Sequence, residues 1–308
     1  SYNMENRIIL SRADFSANNI GRIIELTDLT KKVLSKQTQY KIGSDESIAL
    51  DVFLMALKEN GYIGGDHAKL SVLMIPALAS GHDDLFYNIC ALDDEGYPTN
   101  WMPSAEDPDS PIYQVYTENS HNVGTYANAI VGNNETLNAF NIGLGDYFVQ
   151  SGQGVTRNIP SFCLFNYLCA EFNTGDRLID GYNYSLVIKH SANYCSVGMY
   201  NGDSAVATTN MGSTTKGFYG LSYDGSKGSI VLNNNGNHAV SSTPVNGGIN
   251  LTSIGYVNTN FVLLSGNSNP VGATHSSIMG FGTGMTQGEL DILKGYCDTL
   301  AAALHVTL

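Results

Sequence analysis

The stretch Gly217-Phe218-Tyr219-Gly220-Leu221-Ser222-Tyr223, then Asp224-Gly225-Ser226-Lys227-Gly228, then Ser229-Ile230-Val231-Leu232, then Asn233-Asn234-Asn235-Gly236-Asn237, decides the fold class. Two short aromatic and β-branched runs are each closed by a cluster of Gly, Asn, Asp and Ser. Residues of that kind supply the φ angles of hairpin turns, so the stretch reads as antiparallel strands. The pattern recurs outward from it. Strands are expected at Ile112–Tyr116, Asn138–Ile142, Tyr147–Gln150, Ser161–Glu171, Tyr184–His190, Tyr194–Tyr200, Ile254–Val257, Phe261–Ser265 and, last, His275–Gly282. No helical pattern alternates with them, which excludes a doubly wound α/β fold and leaves a sandwich or jelly roll.

The two ends read differently. Leu26 to Ser35 suits a short amphipathic helix, and Ser44 to about Asn60 a longer one, capped by Ser44 or Asp45 and stopped at Asn60-Gly61. Its apolar stripe is expected at Ile48, Val52, Met55 and Ala56, widened by Phe53 and Leu57. Leu70 to Pro76 reads as a buried strand, and Leu92 to Ser110 as a long acidic loop. At the far end Thr286 and Glu289 have the spacing of a capping box, and Leu290, Leu293, Cys297, Leu300 and Leu304 form one helical stripe. The expected organisation is therefore an N-terminal α/β segment over 1–61, serving docking or oligomerisation, and a β-sandwich over 62–308 closed by a helix at 286–304.

Composition narrows the function. The 308 residues carry a net charge of −13, and only 14% are charged, against about 25% in average domains. An acidic chain repels phosphate backbones, so nucleic acid is not an expected partner. No run approaches the ~18 apolar residues of a membrane span, so no insertion is expected. Polarity comes instead from Asn, Ser, Thr and Gly, with 18 tyrosines. Five cysteines without a CxxC fit reduced thiols and folding in a reducing cytoplasm, one oxidised pair being the alternative.

No catalytic constellation stands out, and no catalytic residue is expected. Gly280-x-Gly282-x-Gly284 lacks the spacing and the βα context of a dinucleotide loop, and reads as a flexible strand-to-helix turn. Glu171 and Asp176 are the carboxylates to test if the chain cleaves glycosidic bonds. Acidic side chains crowd Leu92–Ser110, where Asp93, Asp94, Asp107 and Asp109 offer oxygens to calcium, although such loops are commonly just solvated. Aromatic rings beside Asn and Asp suit sugars better: the rings stack on apolar sugar faces and the polar groups bind hydroxyls. The candidates are Tyr97, Trp101, Tyr182, Tyr200, Asp203 and Tyr219.

Three segments carry a resemblance. Gly280-Phe281-Gly282-Thr283-Gly284-Met285-Thr286-Gln287-Gly288-Glu289-Leu290 resembles the close of concanavalin-like and laminin G-like domains in phage and prophage particle proteins. Ile9-Leu10-Ser11-Arg12-Ala13-Asp14-Phe15-Ser16-Ala17-Asn18-Asn19-Ile20-Gly21 is similar to N-termini of tail-associated proteins of phages infecting Bacteroidales. Leu73-Met74-Ile75-Pro76-Ala77-Leu78-Ala79-Ser80 with Phe86-Tyr87-Asn88-Ile89 is similar to a strand pair in the same kind of protein. The resemblance implies a concanavalin-like jelly roll in a virion, tail- or capsid-associated, synthesised in the host bacterial cytoplasm. It would be a homo-oligomer, for instance a trimer, contacting other virion proteins and a host-surface glycan. It carries over no catalytic residue, and it implies calcium at a rim without locating it. A polysaccharide-cleaving enzyme and a bacterial surface lectin or adhesin are the alternatives.

Overall fold

The computed structural model describes residues 25–80, 84, 87–100, 161–168, 216–224, 229–240 and 275–306, together with the shorter strands named below. In chain order the elements are α1 (Asp28–Lys36), α2 (Asp45–Glu59), β1 (Leu70–Met74), a 3-10 turn (Pro76–Leu78), β2 (Tyr87–Leu92) and β3 (Pro98–Asn100). Then come β4 (Ile112–Val115), β5 (His121–Val123), β6 (Asn128–Val131), β7 (Phe140–Gly143), β8 (Val149–Ser151), β9 (Thr156–Asn158), β10 (Ser161–Leu168) and β11 (Ile179–Gly181). The remainder are β12 (Leu186–Ser191), β13 (Tyr194–Asn201), β14 (Ser204–Asn210), β15 (Gly217–Asp224), β16 (Ser229–Asn234), β17 (Asn237–Val240), β18 (Asn260–Leu263), β19 (His275–Gly282) and α3 (Gln287–Ala303). The expected strand at Ile254–Val257 and the segment before residue 25 lie outside the described residues.

The chain is mainly β, antiparallel, and closed by a short C-terminal helix. The main sheet runs β17-β16-β15-β10-β19-β6-β5, and β1 pairs with the part of β19 that β6 leaves open. Smaller sheets are β11-β18-β7-β4, β12-β13-β14, β2-β3 and β8-β9. The opening stretch of sequence is its β15-β16-β17 meander. Asn235 and Gly236 form the two-residue turn between β16 and β17, both with positive φ, as an Asn-Gly hairpin requires. Asn235 is also wedged against the start of β15: its Oδ1 accepts from Phe218 N at 2.7 Å. A Cβ on Gly217 would stand 2.2 Å from that oxygen, so only glycine fits there.

Both faces of the main sheet are buried. Side chains alternate along a strand. Cys163, Phe165, Tyr167, Phe218, Val231 and Ile278 share one core cluster with the three helices. The intervening Leu164, Leu168, Tyr219, Leu221, Leu232 and Met279 are buried on the opposite face, at 5% exposure or less. Backbone of β13 and β14 closely approaches β15, β16 and β17. A second sheet against this one is what makes the fold a sandwich.

On the helical side, α3 seats Leu290, Leu293, Cys297, Leu300 and Leu304 at 0–1% exposure, the stripe expected from sequence. Burying each leucine contributes about 1.5–3 kcal/mol. The capping box forms: Thr286 Oγ1 accepts from Glu289 N, and Glu289 Oε2 from Thr286 N. Residues on both sides of Gly61, such as Leu57 and Tyr62, contribute to the same buried cluster.

Two local expectations are corrected. On α2 the buried residues are Ser47, Leu50, Asp51, Phe53, Leu54 and Leu57, whereas Val52 is 51% exposed. Leu50, Phe53, Leu54 and Leu57 follow an i, i+3, i+4, i+7 pattern with larger apolar groups, and that stripe wins. Leu92–Ser110 is not loop throughout, because β3 folds back on β2. The last strand read from the sequence, His275–Gly282, is β19, so of the glycine run only Gly284 is left to the strand-to-helix turn. A Cβ on Gly282 would lie 1.8 Å from Lys69 O, and one on Gly280 2.7 Å from Val72 O. These glycines admit the irregular start of β1 against β19, where the register shifts between Leu70 and Val72.

Candidate functional site

The best-described candidate region is the β2–β3 hairpin and the α1 surface beneath it. Asp93 organises the turn: its Oδ1 accepts from Glu95 N at 3.0 Å and Tyr97 N at 2.9 Å. Gly96 has φ +83°, and Lys32 Nζ lies 2.9 Å from where its Cβ would be. Lys32 donates to Glu95 O at 2.6 Å and pairs with Asp28 at 2.8 Å. Lys32 and Lys36 place their ammonium groups 5.4 and 5.2 Å from the Tyr97 ring centre, within cation–π range. Tyr97 is thus half-buried and held at the end of a turn, with its ring engaged by α1.

Of the other sequence candidates, Tyr200 and Tyr219 belong to other strands. Tyr200 lies on β13, next to Asn201, whose pairing with Ser204 closes the β13–β14 hairpin. Tyr219 sits in the interior of the main sheet at 1% exposure, opposite Asn166 of β10. Its ring packs in the core and is withdrawn from ligand, a correction to the sequence reading: Gly217, Phe218 and Gly220 look like a turn-rich strand end, but β15 is paired on both edges. Trp101, Tyr182 and Asp203 lie outside the described residues, as do Glu171, Asp176, Asp107 and Asp109. One oxygen of Asp93, a calcium candidate, already accepts two backbone amides, while Asp94 is exposed in the same turn. Among the described residues, no group of three His, Cys, Asp or Glu side chains is placed to hold a metal ion.

Several polar clusters had no local signal because their partners are distant in sequence. Tyr62 donates to Glu289 O at 2.6 Å, and Lys69 pairs with Glu289 at 3.1 Å while lying 5.0 Å from the Tyr62 ring. Burial, then the nearby Glu289, pushes the Tyr62 phenol well up. Burial alone would raise the Glu289 carboxyl, but Thr286 N–H and Lys69 outweigh it and hold the carboxyl below its ordinary value. Asp291 accepts from Asn233 and meets His238 Nε2 at 2.7 Å, and Glu46 meets His305 Nε2 at 2.8 Å. Cys163 and Cys297 are fully buried, and burial pushes both thiols up, away from the reactive thiolate. No helix among the described residues is long and apolar enough to cross a membrane.

No protein-family model and no curated protein matches the chain. Solved structures do show likeness. The CBM40 of a Ruminococcus gnavus IT-sialidase, bound to α2,6 sialyllactose, is 14% identical with TM-score 0.34, over 48% of this chain and 97% of that one. Domain 4 of AbnA, a GH43 extracellular arabinanase from Geobacillus stearothermophilus in complex with arabinotriose, is 14% identical with TM-score 0.39, over 73% and 98%. A Trypanosoma rangeli sialidase is 11% identical with TM-score 0.34, over 82% and 39%. At this distance these likenesses carry no argument about ligand or activity; the class of fold rests on the strand pairing above.

Proposed function

We propose that this chain is a non-catalytic glycan-binding β-sandwich of a phage particle, working as a homo-oligomer on host-surface carbohydrate. The observation that best supports glycan binding is the place of two candidate residues along their strands. Tyr97 stands at the end of the Asp93 turn, and Tyr200 precedes Asn201 where β13 turns into β14. An aromatic ring beside an amide or carboxylate at the tip of a paired hairpin is a rigid mount for a sugar face and its hydroxyls. The shifted ionisable groups, by contrast, serve packing: Tyr62 and Glu289 tie the segment between α2 and β1 to α3, and the Cys163 and Cys297 thiols are sealed in the core. The particle assignment and the self-association draw on the sequence resemblance, and calcium at Asp93 and Asp94 remains part of the same proposal.

The test is a glycan array probed with the intact chain, with Tyr200→Ala and Trp101→Ala as variants and released sugars measured in parallel. The reading expects binding that weakens at least about tenfold in a variant, the loss of one stacked ring, without product. No binding to any glycan, or sugar release abolished by Glu171→Gln, overturns it. Detection of the chain in purified particles tests the virion assignment separately.

A further inference from the structure

We propose that the outward faces of α2 and α3 form one surface on which a second copy of this chain docks. The inference rests on the self-association proposed above and gives it a place. Helix α2 is apolar nearly all round. Leu50, Leu54 and Leu57 enter the core, and at about 100° per residue Ile48, Val52, Met55 and Ala56 fall together on the opposite side. Val52 is 51% exposed there, and the other three are partly exposed. A helix apolar on every side is ordinarily covered on every side. On α3 the exposed positions are Gly288, Ile292, Gly295, Thr299 and Ala302, and none is charged. They alternate four and three residues apart, as do Ile48, Val52 and Met55, which is the spacing of a seam between packed helices.

The two seams lie side by side. Glu46, at the start of α2, meets His305 just beyond α3, and Asn60, at the end of α2, donates to Tyr296 Oη at 3.1 Å. The helices are therefore antiparallel neighbours, and each turns its second seam away from the core residues of the other. Helix α1 shows the contrast. Its exposed positions are Asp28 and Ser35, flanked by the partly exposed Lys31 and Lys32, the usual polar dress of a helix that faces water.

Size and charge favour a second copy as the occupant. Helices of 15 and 17 residues are about 22 and 25 Å long, and side by side they span about 20 Å. The face is then about 500 Å² in projection, and side-chain relief carries its accessible area toward the roughly 800 Å² per partner of a standard interface. With a net charge of −13, two copies repel each other except where the facing surfaces carry no charge. Here the charges stand at the margin: Asp45 and Glu59 at the two ends of α2, and Lys294 with Asp298, paired to each other, on the flank of α3. The face is also self-complementary. A two-fold axis seats the Ile48, Val52 and Met55 ridge of one copy on the small residues of α3 in the other, and the reverse.

The test is sedimentation velocity of the full chain, native and as Val52→Glu/Ile292→Glu and Val52→Lys/Ile292→Lys variants. Val52 and Ile292 are 51% and 47% exposed, so both variants should keep the native helical circular dichroism. The native chain should associate, and each variant alone should bind itself about a hundredfold more weakly, since like charges then meet in the contact. An equal mixture of the two variants should associate again, because Glu meets Lys. A native chain that stays monomeric up to about 100 μM overturns this surface together with the self-association proposed above. An oligomer that both variants leave intact overturns the surface and leaves the self-association standing. Variants that are monomeric both singly and in the mixture also overturn it, and give the face to another occupant, such as residues 1–24 of the same chain.

Discussion

Replacing Asp51 by alanine should destabilise the entire protein rather than loosen one helix. Asp51 lies on α2 at 7% exposure, and its Oδ1 accepts from Thr27 N at 2.9 Å, from Thr30 Oγ1 at 2.7 Å and from Thr27 Oγ1. It caps α1 from another helix, since Thr27 makes no side-chain cap of its own. The two hydroxyls lie 3.1 Å apart and can rebond to each other, so the alanine variant leaves about two donors unsatisfied. At about 1–3 kcal/mol each, with Thr30 fully buried, the loss should be about 3–5 kcal/mol. Asp51→Asn keeps the accepting oxygen and should lose about 1 kcal/mol. The assay is urea unfolding of the full chain, followed by far-ultraviolet circular dichroism of the helices and by near-ultraviolet circular dichroism of buried sheet aromatics such as Tyr167 and Phe218. Because α1, α2, α3 and the sheet share one core cluster, both signals should shift together. A loss below about 1 kcal/mol, or an early transition seen only in the helical signal, would refute this reasoning.

Other outcomes follow from single contacts. Gly282→Ala should lose about 3 kcal/mol or more on thermal melting, because its Cβ collides with backbone, whereas Gly295→Ala, with open space on the outer face of α3, should gain about 0.5–1 kcal/mol. Glu289→Gln should lose about 1 kcal/mol at pH 7, the worth of a cap. Since folding lowers the Glu289 pKa, its contribution is complete above the unfolded value of about 4.3 and disappears as pH falls through the folded value, so the melting curves of variant and native chain should converge in acid. Site-resolved thiol labelling should find Cys163 and Cys297 unreactive until the chain unfolds, since both are fully buried with thiols pushed up.

What could be read in the sequence was what local chemistry decides. The Thr286–Glu289 box and the Leu290 to Leu304 stripe are complete within one helix, and the Asn235-Gly236 turn within one hairpin. The glycines of β19 could not be read, because the reason for them is the backbone of Lys69 and Val72, some 210 residues earlier. Two overlapping apolar stripes are compatible with the sequence of α2, and packing against α3 and α1 chooses between them. Strand β14, Ser204-Ala205-Val206-Ala207-Thr208-Thr209-Asn210, went unnoticed since its small residues make no alternation, and its pairing with β13 alone reveals it. Of the candidate rings, Tyr219 has the same sequence surroundings as the others, and only the burial of both sheet faces separates it from the half-buried Tyr97.

Glycan binding without turnover is the centre of the account, and one measurement addresses it most directly: array binding by the native chain and Tyr200→Ala, with mass spectrometry of any released sugar. The account predicts binding to at least one polysaccharide, weakened in the variant, with the glycan recovered intact. Cleaved glycan, or no binding to any carbohydrate, would contradict it.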